Sequence, residues 1–161
     1  MHELPVSNSA DKREFYTQLA EQLAALLNGE RDQIANAANM ASLLYHALPD
    51  VNWVGFYFQR GAELVLGPFQ GKPACVRIAM GKGVCGTAAQ RGETVLVPDV
   101  HAFPGHIACD SASRSELVVP LKKRTTLIGV LDLDSPHEGR FDDADREGCE
   151  KLVQVFLATL E

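Results

Sequence analysis

Residues 116–134 read ELVVPLKKRTTLIGVLDLD, two apolar runs joined by a short basic segment. Both runs are rich in Val, Leu and Ile, which favour strands, and the residues between them are typical of a turn. The stretch therefore predicts an antiparallel hairpin. Because alternate side chains of a strand point to the same side, Asp132 and Asp134 should share one face of the sheet.

The segments on either side of this hairpin continue the pattern. Four further apolar runs bounded by turn residues predict strands over 52–58, 63–69, 74–78 and 94–98. Helical spacing predicts helices over 9–28, 32–48 and 142–160, and a glycine-rich turn should open a short helix within 81–92. We therefore expect an α+β fold with a central, mainly antiparallel sheet of about six strands flanked by helices.

Length and composition narrow the classes of protein. A chain of 161 residues is expected to form a single domain, with N-terminal helices over 9–48, the sheet and a candidate active-site loop over 51–134, and a C-terminal helix over 142–160. The net charge of −6 argues against a nucleic-acid partner. No apolar run has the length of a membrane span, and four irregularly spaced cysteines without an export signal predict a cytoplasmic location.

One polar loop stands out from the pattern of short connections. Residues 99–115 show no periodicity and carry Cys109 beside His106 and Asp110. Loops of this length in a small domain are usually binding or catalytic loops. We therefore expect Cys109 to be a functional thiol.

The other three cysteines invite different interpretations. Cys149 lies on the apolar stripe of the last helix and should be a core residue. Cys75 lies in a predicted strand and, on its own, would be structural. Cys85 begins a predicted helix, whose N–H groups and dipole favour a thiolate. A zinc site with His101 and His106 is the alternative, but the spacings fit no familiar ligand pattern, so we expect no metal and no cofactor.

Three carboxyl groups are expected to meet near the end of the hairpin. Asp132 and Asp134 end an apolar strand, and Glu116 begins the neighbouring one. Crowded carboxyl groups cannot all ionise, so one pKa should rise and a proton should be shared. Such a cluster can donate a proton or hold an ammonium group. Trp53 and Tyr57 are expected on one face of their strand, either as core packing or as an aromatic wall against a methyl group.

Five segments together resemble one enzyme family. They are NWVGFYF, LGPFQGKPACVRI, GKGVCGTA, VPDVHAFPGHIACDSASRSELVVPL and IGVLDLDSP, in this order. They are similar to the free methionine-(R)-sulfoxide reductases, which are stand-alone GAF-domain enzymes. The resemblance implies a single GAF domain that reduces free L-methionine (R)-sulfoxide to L-methionine, with thioredoxin as reductant and often as a homodimer.

The resemblance also implies a role for each candidate residue. Cys109 matches the nucleophile and Cys75 the resolving cysteine, so that the two form a redox disulfide, while Cys85 matches a third cysteine, which the resemblance links to thiol exchange. The substrate side is matched by the carboxyl groups of Glu116, Asp132 and Asp134, with Asp134 on the sulfoxide oxygen, and by Trp53 and its companion Tyr57 at the S-methyl. Two alternatives remain open: a non-catalytic GAF sensor of a small molecule, and a thiol redox switch.

Overall fold

A six-stranded sheet forms the centre of the structure, a computed structural model that describes residues 9–105 and 112–160. Its strands are β1 (Trp53–Arg60), β2 (Glu63–Gly71), β3 (Arg77–Ala79), β4 (Val95–Val97), β5 (Ser115–Lys123) and β6 (Thr126–Ser135). They lie in the order β3-β2-β1-β6-β5-β4, and every neighbouring pair is antiparallel. The predicted α+β fold with six strands and the predicted β5–β6 hairpin are confirmed.

Four α-helices surround the sheet, at α1 (Ser9–Leu27), α2 (Gln33–Ala47), α3 (Gly83–Arg91) and α4 (Asp143–Ala158). Local signals fix their ends. The Asp32 side chain accepts a hydrogen bond from the backbone of α2, and Asp142 and Asp145 form a reciprocal capping box at the start of α4. Gly92 ends α3 in the left-handed conformation, which glycine adopts without strain.

The strands divide their side chains between two apolar clusters. One face, with α1, α2 and α4, buries alternate residues of the hairpin: Leu117, Val119, Leu121, Leu131 and Leu133. The other face carries Val118 and Val130 and packs on α3. Because the alternation continues to the strand ends, Glu116 and Asp132 lie on the α3 side, away from the larger cluster.

Two predictions about the chain between strands were wrong. The third strand is Arg77–Ala79 rather than 74–78, so Cys75 precedes it and is half-buried rather than a buried strand residue. Pro73 lies in this segment, and proline cannot donate to a strand ladder. The stretch 99–115 is not wholly irregular, because Val100–Ala102 form a turn of 3₁₀ helix capped by the Asp99 side chain. Among the described residues no helix is long and apolar enough to cross a membrane.

Candidate active site

A small pocket of about 50 Å³ lies on the α3 face of the sheet. Its floor is formed by the ends of β1, β5 and β6, and its sides by the start of α3 and the segment before β3. It is lined by Trp53, Tyr57, Ala74, Lys82, Cys85 and Ser113, and by the three carboxyl groups of Glu116, Asp132 and Asp134. The fold therefore brings six residues that the sequence analysis singled out around one cavity, together with Ala74, Lys82 and Ser113.

The carboxyl groups meet because of the register of the hairpin. Glu116 on β5 is directly opposite Asp134 on β6, and Asp132 lies two residues back along the same strand. Glu116 and Asp132 are only 7% and 6% exposed. Burial, reinforced by the charges of Asp132 and Asp134, holds the pKa of Glu116 well above its usual value. Glu116 is therefore the group best placed to hold a proton within the cluster.

The carboxyl group of Asp132 accepts a hydrogen bond from Glu116 and so shares that proton. Burial raises its pKa, and hydrogen bonds from Glu116, then from Cys85 and Asp134, partly offset the rise. Its Oδ1 atom is buried, and among residues 9–105 and 112–160 it has no hydrogen-bond partner. Buried acceptors are normally paired, so an unpaired carboxylate oxygen facing a pocket indicates a place for a polar or cationic ligand.

The opposite wall of the pocket is aromatic. The rings of Trp53 and Tyr57 stack with their centroids 6.0 Å apart, and Trp53 also stacks on Phe69 at 5.2 Å. Gly55 makes this arrangement possible, since a Cβ atom there would lie 2.6 Å from the Trp53 ring. The sequence left core packing and an aromatic wall open; the rings are buried and also line the cavity, so they do both.

Both aromatic residues also hold the segment that carries Cys75. The Trp53 indole N–H donates to the carbonyl oxygen of Lys72 (3.0 Å), and the Tyr57 hydroxyl donates to that of Cys75 (2.9 Å). Burial, with the nearby charge of Asp132, raises the pKa of Tyr57, so the phenol stays protonated and remains a donor. The backbone at Cys75 is thus fixed to the wall of the pocket.

The structure separates the cysteines it describes into three environments. Cys75 is disulfide-bonded, which contradicts a merely structural thiol. Cys149 is a free thiol buried in the larger cluster, as predicted for a core residue. Cys85 is a free thiol, 5% exposed, with its Sγ atom 3.9 Å from Glu116 Oε2.

The start of α3 does not stabilise a thiolate at Cys85 in this structure. Burial raises the pKa of this thiol well above its usual value, and Asp132, Glu116 and Asp134 raise it further. The partial positive charge of a helix start is outweighed because desolvation and three neighbouring carboxyl groups act in the opposite direction. Cys85 is therefore a neutral thiol in this arrangement.

Some predictions fall outside what the structure describes. Cys109, His106 and Asp110 belong to residues 106–111, which lie outside the described residues, so the expected role of Cys109 stays a prediction. His101 lies exposed in the 3₁₀ turn and is not part of the pocket lining. The ligand atoms that could hold a metal belong instead to Cys85, Glu116 and Asp132, which lie within 4.8 Å of one another.

Sequence reasoning missed the cationic side of the pocket. Lys82 immediately precedes α3 and lines the cavity together with the first residues of that helix, and its side chain does not cap the helix. Ser113 is 6% exposed, and its hydroxyl has no hydrogen-bond partner within the described part of the chain. The signal was the lysine of GKG at a helix start, because free helix N–H groups and a cation favour an anion.

Comparison with known proteins agrees with the fold. The GAF domain family model matches residues 11–160. The free methionine-R-sulfoxide reductase of Escherichia coli is 53% identical over 154 residues, which cover 94% of this chain and 93% of that protein.

Solved structures give the same result. The free methionine-R-sulfoxide reductase of Neisseria meningitidis, solved in complex with its substrate, superposes with a TM-score of 0.91 at 46% identity, over 99% of this chain and 96% of that one. A Burkholderia vietnamiensis structure provisionally described as a GAF sensor protein is 65% identical, with a TM-score of 0.88 over 91% and 93% of the two chains. The identities and the coverage together show that this chain belongs to the free methionine-R-sulfoxide reductases, within the GAF domain family.

Proposed function

We propose that this protein reduces free L-methionine (R)-sulfoxide to L-methionine. The observation that carries the proposal is the cluster of carboxyl groups of Glu116, Asp132 and Asp134, which lies opposite an aromatic wall in a pocket of about 50 Å³ and in which burial raises the pKa of Glu116. A sulfoxide oxygen leaves sulfur only when it is protonated, and a thioether methyl group favours an aromatic surface. The family relationship supports the same substrate.

The cluster supplies the proton in this proposal. Its three groups surround one site, and a carboxyl group whose pKa is raised can act as a general acid near neutral pH. Asp134 contacts the sulfoxide oxygen, and Glu116 holds the proton that the oxygen receives. General acids of this kind contribute on the order of 10²–10⁴ in rate.

Cys109 is the nucleophile in the first half-reaction. Its thiolate attacks the positively polarised sulfur and forms a sulfur–sulfur bond, while the protonated oxygen leaves as water. A water molecule then attacks the Cys109 sulfur, breaks the sulfur–sulfur bond and releases the thioether of methionine. Cys109 is left as a sulfenic acid, so the substrate sulfur gains the two electrons that the cysteine sulfur loses. The net reaction converts one thiol and one sulfoxide into one sulfenic acid and one thioether.

Cys75 resolves the sulfenic acid in the second half-reaction. Its thiol displaces water from Cys109 and forms a disulfide, which an external dithiol, expected to be thioredoxin, reduces by exchange. The disulfide-bonded state of Cys75 supports this role, and the assignment of Cys109 as its partner rests on the family resemblance. A cytoplasmic location, where such a reductant is present, and a homodimer remain predictions.

The acidic side and the basic side of the pocket suit the ammonium and the carboxylate of a free amino acid. The substrate ammonium lies against the carboxyl groups, where Asp132 Oδ1 is a buried acceptor without a protein partner in the described ranges. The substrate carboxylate lies against Lys82, the first N–H groups of α3 and the Ser113 hydroxyl. A methionine sulfoxide residue within a peptide has neither terminal charge, so negligible activity on oxidised proteins is expected.

One coupled assay tests the proposal. NADPH consumption is followed with thioredoxin, thioredoxin reductase and each diastereomer of free methionine sulfoxide, and with a peptide containing the same residue. Turnover of the free R form alone is expected. A small-molecule sensor or a redox switch would give no sustained consumption with any of the three, and efficient turnover of the peptide would contradict the pocket assignment.

Cysteine variants separate the two half-reactions. Cys109→Ser should abolish methionine release, whereas Cys75→Ser should release about one equivalent per subunit and then stop, because sulfenic acid formation precedes resolution. Cys149→Ala is the matched control and should keep full turnover, since that thiol is buried in the opposite cluster. Unchanged steady-state turnover in Cys75→Ser would remove Cys75 from the mechanism.

A further inference from the structure

Three potential metal ligands converge at the floor of the pocket. The Cys85 Sγ atom and one carboxylate oxygen each of Glu116 and Asp132 lie within 4.8 Å of one another, with 3.9 Å between Sγ and Glu116 Oε2. A tetrahedral zinc ion with bonds of about 2.3 Å to sulfur and about 2.0 Å to oxygen separates such ligands by roughly 3.5 Å. The observed atoms therefore have to move closer together, by up to about 1.3 Å, before they can coordinate one ion.

The ligands are held by regular structure rather than by loops. Glu116 and Asp132 project from the paired strands β5 and β6, and Cys85 projects from the first turn of α3. All three are at least nine-tenths buried. Ligands fixed in this way lose little conformational entropy when they bind an ion.

A second observation indicates that this site takes a cationic ligand. Asp132 lines the pocket and is 6% exposed, and its buried Oδ1 atom has no hydrogen-bond partner among the residues that the structure describes, although its side chain bonds to Glu116, Cys85 and Asp134. Leaving a buried acceptor unpaired destabilises the folded state. A metal ion would complete the coordination of this oxygen.

The chemistry of the donors selects the type of cation. One thiolate and two carboxylates suit zinc or cadmium, whereas magnesium and calcium require six or more oxygen ligands. Space within the pocket leaves the fourth position to water. The two positive charges of the ion offset two of the three negative charges that the thiolate and the two carboxylates carry when they are deprotonated.

We propose that Cys85, Glu116 and Asp132 form a binding site for one thiophilic divalent cation, such as Zn²⁺, and that this cation and methionine sulfoxide exclude one another. Binding releases the thiol and carboxyl protons to solvent and involves no change of oxidation state. The cation takes no part in the reaction. It occupies the place of the proton and of the substrate ammonium, so it inhibits the reduction of methionine sulfoxide. The metal site rests on these side chains alone, whereas the exclusion rests on the proposed function.

The test uses Cd²⁺ and the disulfide form of the full chain, in which Cys75 is blocked. Titration is followed by the ultraviolet charge-transfer band of a cadmium–thiolate bond, which requires a cysteine ligand. One equivalent is expected to bind with a band that Cys85→Ser abolishes. Cys149→Ala should leave the titration unchanged, because its thiol lies on the other side of the sheet.

A second variant tests the site independently, in case Cys85→Ser does not fold. Asp132→Asn should weaken Cd²⁺ binding at least ten-fold while keeping the band at saturation, and bound metal should raise the melting temperature of the wild type but not of Cys85→Ser. A band that persists in Cys85→Ser, or an unchanged affinity in Asp132→Asn, would overturn the site.

Competition distinguishes the two proposals. Free methionine (R)-sulfoxide added to the cadmium-loaded disulfide form should lower the band, whereas a peptide-bound sulfoxide should not. Tight cadmium binding without displacement, in a protein that also lacks reductase activity, would leave the metal site standing and refute the enzyme. A normal reductase that binds no cadmium would refute the metal site alone.

Discussion

The molecule buries acidic side chains in two regions, which differ in the charge of the groups around them. Asp145, 1% exposed, lies 2.8 Å from Lys12 Nζ and 3.3 Å from Arg140, and it also accepts a hydrogen bond from the Tyr16 hydroxyl at 2.7 Å. In the pocket, by contrast, Glu116 and Asp132 are surrounded by other carboxyl groups and a thiol.

This difference separates a structural acid from a candidate catalytic one. The charge of Asp145 is matched by cations, and it joins the start of α1 to the start of α4. The pocket acids oppose one another, so folding works against their ionisation rather than for it. Buried acids whose ionisation is disfavoured are characteristic of functional sites, where a lower folding stability accompanies chemical reactivity.

The largest effect is expected from Glu116→Gln. This change keeps the shape of the side chain but removes the proton that the cluster donates, so kcat should fall by on the order of 10²–10⁴. The free energy of unfolding at neutral pH should rise rather than fall, because a disfavoured charge is removed. Single-turnover methionine release and urea unfolding measure the two quantities. A loss of stability together with the loss of activity would place Glu116 in the same class as Asp145.

The second effect is on stability, from Asp145→Asn. The change leaves Lys12 and Arg140 without their shared counter-charge in a buried setting, so the free energy of unfolding should fall by about 3 kcal/mol. Turnover by the folded fraction should be unaffected, since this cluster lies outside the pocket lining. Asp143→Asn, two residues away and 81% exposed at its side chain, is the control and should change stability little.

The two regions should also respond to pH in opposite directions. The raised folded pKa of Glu116 makes it destabilising once pH exceeds its unfolded value of 4.5, so the stability advantage of Glu116→Gln should grow above that pH by up to about 1.4 kcal/mol per unit. At Asp142, partial burial is outweighed by hydrogen bonds from Asp145 and Lys12, which lower the pKa to about 2. Its contribution is present above pH 3.8 and is lost as pH falls towards 2. Urea unfolding of wild type, Glu116→Gln and Asp142→Asn across this range tests both signs.

The smallest effects come from a matched pair of tyrosines. Tyr16→Phe removes a hydrogen bond to the charged Asp145 and should lower the free energy of unfolding by about 2 kcal/mol. Tyr57→Phe removes one to the backbone of Cys75 and should instead slow disulfide formation several-fold more than it slows methionine release. Stopped-flow measurement of the two half-reactions separates the cases, and equal slowing of both would contradict a link to Cys75.

Much of the fold and of the acid cluster could be predicted because both depend on local periodicity. The alternation in LIGVLDLD predicts which face Asp132 and Asp134 share, and the hairpin turn brings Glu116 opposite them. Trp53 and Tyr57 follow from the same rule on β1.

What could not be predicted depends on contacts between distant segments. The state of Cys85 depends on three carboxyl groups on other strands, and no pattern around GKGVCG contains them. The position of Cys75 depends on Pro73 and on the Tyr57 hydroxyl, which keep this segment out of the strand. The cationic side of the pocket joins Lys82 to Ser113, which are far apart in the chain.

The alternation of side chains along β5 and β6 determines which residues of the hairpin can reach the pocket. Even-numbered positions from Glu116 to Val118 and from Val130 to Asp134 lie on the α3 side of the sheet, where the three acidic residues line the pocket, and the odd-numbered positions between them lie in the larger cluster on the other side. Removing one residue from the middle of β6 would turn an aspartate into the leucine layer and a leucine towards the pocket. Changes of length in these two strands are therefore tolerable only in pairs, and single insertions have to be confined to the turn at 124–125.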